Sequence, residues 1–402
     1  MRRRRSFKRW SASLVRRRVW VRVPPPAPKI SKNVKEGTTI KGTLFFFFNF
    51  KNQRIYVLFG IFIFFILRDK RNIIIFYLLI FISLIGVGLV SIVDVLLFLP
   101  SIMLGVIMGA NDAGNILGPT VGNGIFKIKQ AIYAASLMII LGAWIEGRPG
   151  LKVSSNLVKV NTIEIIIINL SVVVITLFFL KRKLPISLTQ AIVGASVGVG
   201  ILIKEINTKI LLYIVLGWFS TPVVAFIISY ALQKTLALVF RGMKNLRIRF
   251  YVLRILLWVF TLYGGFSLGA NNAGKISGIL YQRGYNIYFL LVLSGLSLSA
   301  GVLFFGKNSI YTIGRGIMAL DDFTAMVSIA TVSITIWIYS IIGLPISAAH
   351  AIIGSIIGAG YSKGTRIQNP KIFQRIIFSW LEAPMYSGIF SAFVYSIYKL
   401  LW

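Results

Sequence analysis

Gly109-Ala110-Asn111-Asp112-Ala113-Gly114-Asn115 lies inside an apolar run and returns as Gly269-Ala270-Asn271-Asn272-Ala273-Gly274-Lys275, a shift of 160 positions. Pro185-Ile186-Ser187, followed by Thr189, Gln190 and Gly194, returns at the same shift as Pro345-Ile346-Ser347, followed by Ala349, His350 and Gly354. A looser pair is Trp218 with Pro222 and Trp380 with Pro384. A duplicated chain with polar, glycine-broken motifs inside apolar segments has the pattern of a secondary transporter.

Composition sets the class. Of the 402 residues, 57% are apolar and only 13% charged, and the mean hydropathy is +0.82. A soluble domain is roughly 45–50% apolar. Several runs reach the ~20 residues needed to cross a bilayer, and runs such as 163–180 do not alternate as a β-barrel strand would. The fold class is an all-α polytopic membrane protein, with about a dozen transmembrane or re-entrant helices. With no cysteine and one histidine, disulfides, thiolate metal sites and multi-histidine sites are excluded. The formal net charge of +34 reads as Lys and Arg flanking membrane spans and facing anionic headgroups, not as a nucleic-acid surface.

Organisation follows from these runs. Residues 1–43 form a basic, Pro-rich arm, read as disordered or non-native rather than as a membrane-surface arm or transit peptide. Residues 44–90 add hydrophobic segments (55–67 and 73–90). Repeat 1 spans 91–240, a basic cytoplasmic linker spans 241–254 and repeat 2 spans 255–402. Later segments are expected at 92–110, 130–146, 160–180, 186–203, 208–236, 253–270, 286–305, 323–343, 347–361 and 374–400. Those at 186–203 and 347–361 are short for a full crossing and suggest broken or re-entrant helices. Asp321-Asp322 reads as a cap for the helix near Phe323.

The motifs carry the chemistry. Glycine and alanine at the density of 109–115 are expected to break the helix and let backbone approach a ligand. Asn111, Asp112 and Asn115 supply oxygens suited to a hard cation, so Asp112 and Asn115 are candidate sodium ligands. An acid within a membrane span is costly unless it faces a cavity, and so marks a functional site. Pro-Ile-Ser fits a helix start, with proline in the first turn and the serine capping backbone N–H groups, and the N–H groups and dipole of such a start attract an anion. Ser187, Thr189 and Ser347 are placed to donate to it. Gly194-x-x-x-Gly198 and Gly354-x-x-x-Gly358 read as packing faces. His350, whose counterpart is Gln190, fits a satisfied helix-start residue, or a group that couples protons. No phosphate-loop fingerprint, catalytic triad or paired catalytic acids accompany these motifs. An ion channel remains as a second class of non-enzyme.

At these motifs the chain resembles the inorganic phosphate transporter (PiT) family, whose members carry a duplicated Gly-Ala-Asn-Asp-x-x-Asn and a duplicated Pro-x-Ser-x-Thr-His. Gly314-Arg315-Gly316, ahead of Leu320, and the Trp-Pro pairs are similar too. The resemblance covers about residues 92–400. It implies two inverted-topology repeats, no enzymatic activity and uptake of inorganic phosphate across the plasma membrane by symport with sodium or protons. It allows a homodimer. No cofactor is implied beyond the coupling ion. Position by position, the resemblance carries over Asn111, Asp112, Asn115, Ser187, Thr189, Asn271 and Ser347 as the site. Phosphate binding is expected of Asn111, Ser187, Thr189, Asn271 and Ser347, and of Lys275, which is particular to this chain. Cation coupling is expected of Asp112 and Asn115, and of this chain's own Asn272, Gln190 and His350 beside them. Sulfate, another tetrahedral oxyanion, is the alternative cargo.

Departures from the family pattern fall mainly in the second copy. Asn272 stands where the family has Asp, Lys275 where it has Asn, Gln190 for the first His and Ala349 for the second Thr. An acid expected before Gly142-Ala143 is replaced by the apolar run 138–141. An aspartate repels phosphate by about 4 kcal/mol at ~4 Å and an effective dielectric near 20, and a bound cation offsets this. Lys275 is therefore expected to act as a built-in cation, lowering the number of coupled cations per phosphate.

Overall fold

The computed structural model describes residues 91–122, 126–182, 186–316, 321–364 and 370–402. The arm at 1–43, the segments at 44–90, Pro185 and Leu320 lie outside the described residues. Twelve helices are described, and they fall into two series of six. The first is α1 (Ile92–Gly122), α2 (Ile128–Glu146), α3 (Arg148–Ser155), α4 (Thr162–Lys181), α5 (Leu188–Ile203) and α6 (Thr208–Gly242). The second is α7 (Leu246–Tyr281), α8 (Ile287–Phe305), α9 (Lys307–Gly316), α10 (Asp322–Ile342), α11 (Ala348–Ser362) and α12 (Pro370–Leu401). No strand forms among the described residues; one isolated bridge joins Val158 to Ile206. Seven of the described helices (α1, α2, α4, α6, α7, α8 and α10) are long and apolar enough to cross a membrane.

Polar side chains at equivalent places start equivalent helices. Asn161 caps α4, accepting from the Glu164 N–H while Glu164 accepts from the Asn161 N–H. Asp321, 160 positions on, caps α10 by accepting from the Thr324 N–H at 2.9 Å, as the sequence suggests. Asn207 and Asn245 cap α6 and α7.

The two series exchange partners. Helix α1 packs on α8 and α9, and their counterparts α7, α2 and α3 pack in the same way. Likewise α6 packs on α11 and α12 on α5. Small residues make these crossings close. A Cβ on Gly109 would run into the Leu298 carbonyl, and one on Gly301 into the Val106 carbonyl. The equivalent pair, Gly269 and Gly142, meets the Ile139 and Phe266 carbonyls. In the other crossing Gly194 abuts Pro384 and Gly354 abuts Pro222, with Ser391 donating to the Ala195 carbonyl (2.8 Å) and Ser229 to the Ser355 carbonyl (2.6 Å). Backbones that approach this closely without the hydrophobic effect gain from dispersion and interhelical hydrogen bonds.

Outward faces are apolar. On α6, Leu212, Leu216, Phe219, Val223 and Ile227 are exposed at helical spacing, and Phe378, Leu381, Met385, Ile389 and Phe393 repeat the stripe on α12. In water such stripes would drive association; against hydrocarbon they are the expected surface.

Two expectations are corrected. The Gly-Ala-Asn motifs do not break their helices: α1 and α7 run unbroken through them. Their small residues serve close packing, which an intact helix provides. The basic stretch 241–254 is mostly not a linker, because Asn245 caps a helix that starts at Leu246 and carries Arg247, Arg249 and Arg254. The short helices α3 and α9 are absent from the sequence reading.

Candidate functional site

Helices α5 and α11 span 16 and 15 residues, about 24 and 22 Å, which is less than the ~30 Å hydrocarbon core. Each begins at a serine in extended conformation, Ser187 and Ser347. Before α11 the chain is unwound over 344–347. That turn needs Gly343, whose φ is +81° and whose missing Cβ leaves room for the Pro149 carbonyl.

The unwound carbonyls face the second Gly-Ala-Asn motif. Asn271 donates to the Leu344 carbonyl at 3.2 Å. The Lys275 ammonium donates to the Ile346 carbonyl at 2.5 Å, to Asn272 Oδ1 at 2.6 Å and to Asn271 Oδ1. Thr189, on the first turn of α5, also donates to the Ile346 carbonyl, at 3.4 Å. The Ile346 oxygen thus gathers both halves.

The first motif joins through Asp112. Its Oδ1 accepts from Asn111 (3.1 Å) and Asn115 (3.4 Å), and its Oδ2 accepts from Asn272 (3.2 Å). Three amides therefore hold one buried carboxylate. Asn272 sits between the charges, its amide N–H on Asp112 and its oxygen on Lys275. Asp112, Asn115, Asn271, Asn272, Lys275, Ser187, Thr189, Gln190, Ser347 and His350 are all buried, and Asn111 is half-buried.

Contrary to the sequence expectation, neither serine side chain caps its own helix. The leading N–H groups of each helix are therefore left uncapped by the hydroxyls, although in α11 the His350 N–H donates to the Ser347 carbonyl at 3.0 Å. Ser187 Oγ and Gln190 Oε1 have no hydrogen-bond partner among the described residues. Buried polar atoms of this kind are normally satisfied, and an oxyanion with its hydration shell would do so. His350 is turned elsewhere: Nδ1 meets the Trp218 carbonyl at 3.1 Å, and the ring lies 3.8 Å from that of Trp380. It links the two Trp-Pro helices and makes no hydrogen bond to the Asp112–Lys275 cluster.

Sequence reasoning missed Ser309. On α9, its hydroxyl donates to the Asn111 carbonyl and accepts from the Gly114 N–H at 3.1 Å. In the other half, Gly274 lies against Gly150 of α3. The available signal was the glycine that precedes each short helix, Gly147 and Gly306.

A family model described as the phosphate transporter family matches residues 108–391, which include every site residue above. The chain belongs to the phosphate transporter family. Among relatives, a protein named a candidate phosphate permease of Methanocaldococcus jannaschii is 24% identical, over 69% of this chain and 89% of that protein. A sulfate permease of Bacillus subtilis is 27% identical, over 72% of this chain and 84% of that protein. A solved structure of a sodium-dependent phosphate transporter superposes with a TM-score of 0.70, at 22% identity, covering 78% of this chain and all of the other. That likeness shows that the chain has a phosphate transporter family fold. A multi-pass membrane protein is what the family and the seven apolar helices describe.

Proposed function

We propose that the chain carries inorganic phosphate across the plasma membrane as a secondary active permease, working by alternating access between two halves of inverted topology. The observation that carries this is the convergence of both copies of two duplicated motifs on the Ile346 carbonyl and the Asp112–Asn272–Lys275 relay. The phosphate oxygens are received by Ser187, Ser347 and the first-turn N–H groups of α5 and α11, with Asn111, Thr189, Asn271 and Lys275 beside them. The half-charges of two helix N-termini add to the attraction. The coupling cation, sodium or a proton, binds at Asp112 with Asn115, where it offsets repulsion between carboxylate and phosphate. Sodium is favoured by the name of the structural neighbour. Two halves that exchange equivalent contacts support rocking of one half against the other.

Counterflow of labelled phosphate in liposomes holding the purified chain tests the assignment. Exchange with unlabelled phosphate is expected, with weak competition by sulfate. A second reading, sulfate as cargo, is favoured by Lys275 in the cluster and by the named activity of the Bacillus relative. Sulfate that outcompetes phosphate would establish it in place of the first.

A further inference from the structure

We propose that the Lys275 ammonium stands permanently where the second half would otherwise bind a mobile cation, leaving one mobile cation site, at Asp112. This rests on the transport reading above.

An ammonium has three N–H donors, and Lys275 finds three oxygens: the side-chain oxygens of Asn271 and Asn272 and the main-chain oxygen of Ile346. A neutral amine would turn a lone pair toward one of them, so the shell fits the charged form. An all-oxygen shell drawn from carbonyls and amides is also what a hard cation selects. The shell is closed by the lysine itself, which is only 5% exposed, so no second cation shares it.

The first half has the aligned positions without the lysine. Asn111, Asp112 and Ile186 occupy the positions equivalent to Asn271, Asn272 and Ile346, and Asn115 occupies that of Lys275. Asn115 is short and neutral and reaches only to Asp112, at 3.4 Å. The carboxylate belongs to the half that lacks the tethered charge, and the tethered charge belongs to the half that lacks the carboxylate. Asn272 joins them by donating to Asp112 and accepting from Lys275. With Asp112 and Lys275 the cluster is neutral overall. A cluster carrying Asp at 272 and Asn at 275 would hold two negative charges and need two cations to admit an anion.

The test uses the full chain in proteoliposomes. The cation-to-phosphate ratio is read from the balance point at which net flux vanishes, with sodium and pH gradients varied separately. The expected ratio is one cation lower in the natural chain than in the double variant Asn272→Asp, Lys275→Asn. Equal ratios, or a lower ratio in the double variant, overturn the proposal. Should the double variant fail to fold, the natural chain decides alone. First-order dependence of uptake on the driving cation supports the proposal, and second-order dependence overturns it. Gradient-free phosphate exchange is measured alongside. Its absence removes phosphate as the cargo, and the balance point is then taken with sulfate. Exchange of neither anion overturns both.

Discussion

Asn272 donates to Asp112 across 160 residues of sequence, at 3.2 Å, and holds Lys275 with its other end. One amide therefore separates two buried opposite charges that make no direct contact. Asn272→Leu leaves both charges short of a partner. A hydrogen bond to a charged group is worth about 2 kcal/mol, so uptake is expected to fall roughly thirty-fold. Initial phosphate uptake, normalised to protein in the membrane, measures it; unchanged uptake would separate the relay from transport.

Asp112→Asn keeps the side chain's size and removes its charge. Coupling is expected to weaken most at this position, so that uptake depends less steeply on the driving cation. Asn111→Ala should cut uptake without that change in cation dependence. Cation titrations of both variants distinguish them.

Ser187→Ala and Ser347→Ala probe the anion end. Loss of a capping serine usually costs about 1 kcal/mol, but neither hydroxyl caps its helix here. Melting temperature should therefore hold, while KM for phosphate rises several-fold. A fall in melting temperature with unchanged KM would assign the serines to the fold alone.

Close packing predicts the reverse. Gly109→Val and Gly301→Val drive methyl groups into the Leu298 and Val106 carbonyls. Overpacking costs about 1–3 kcal/mol, and more where backbone must move. Loss of monodisperse protein in size-exclusion chromatography is expected. Gly242→Val, with nothing near its missing Cβ, should leave the profile unchanged.

The start of α10 carries a pH dependence. Burial acts to raise the Asp321 carboxyl, but hydrogen bonds from Lys363 and Thr324 outweigh it and hold the group below its ordinary value of 3.8. A depressed carboxyl contributes stability above pH 3.8 that is lost as pH falls through its folded value. Lys363 pairs with it at 2.8 Å with both side chains partly exposed, so the pair is worth under about 1 kcal/mol. Asp321→Asn should retain the helix cap and flatten the acid limb of a melting-temperature profile below pH 4; an unchanged acid limb would remove Asp321 from this role.

The duplicated motifs were legible in the sequence because each keeps rare polar residues at one fixed shift in an apolar background. Helix α5 (Leu188–Ile203) lies close to its expected span, since Pro-Ile-Ser marks a start by backbone chemistry alone. The continuity of α1 and α7 was not legible. Glycine has two uses, breaking a helix and letting two helices touch, and only the position of Leu298 or Ile139 tells them apart. Ser309 was hidden for a related reason: its partners, Asn111 and Gly114, lie nearly 200 residues away. The turn of His350 toward Trp218 and Trp380 is likewise a tertiary fact.

The crossed glycine contacts carry a consequence for synthesis. During translation the first six described helices are made before the carbonyls that fill the notches at Gly109 and Gly142, which belong to α8 and α7. The amino-terminal half is thus a lock without its key until the carboxy-terminal half enters the bilayer. Two separately expressed halves should assemble into a working protein only when both are made together.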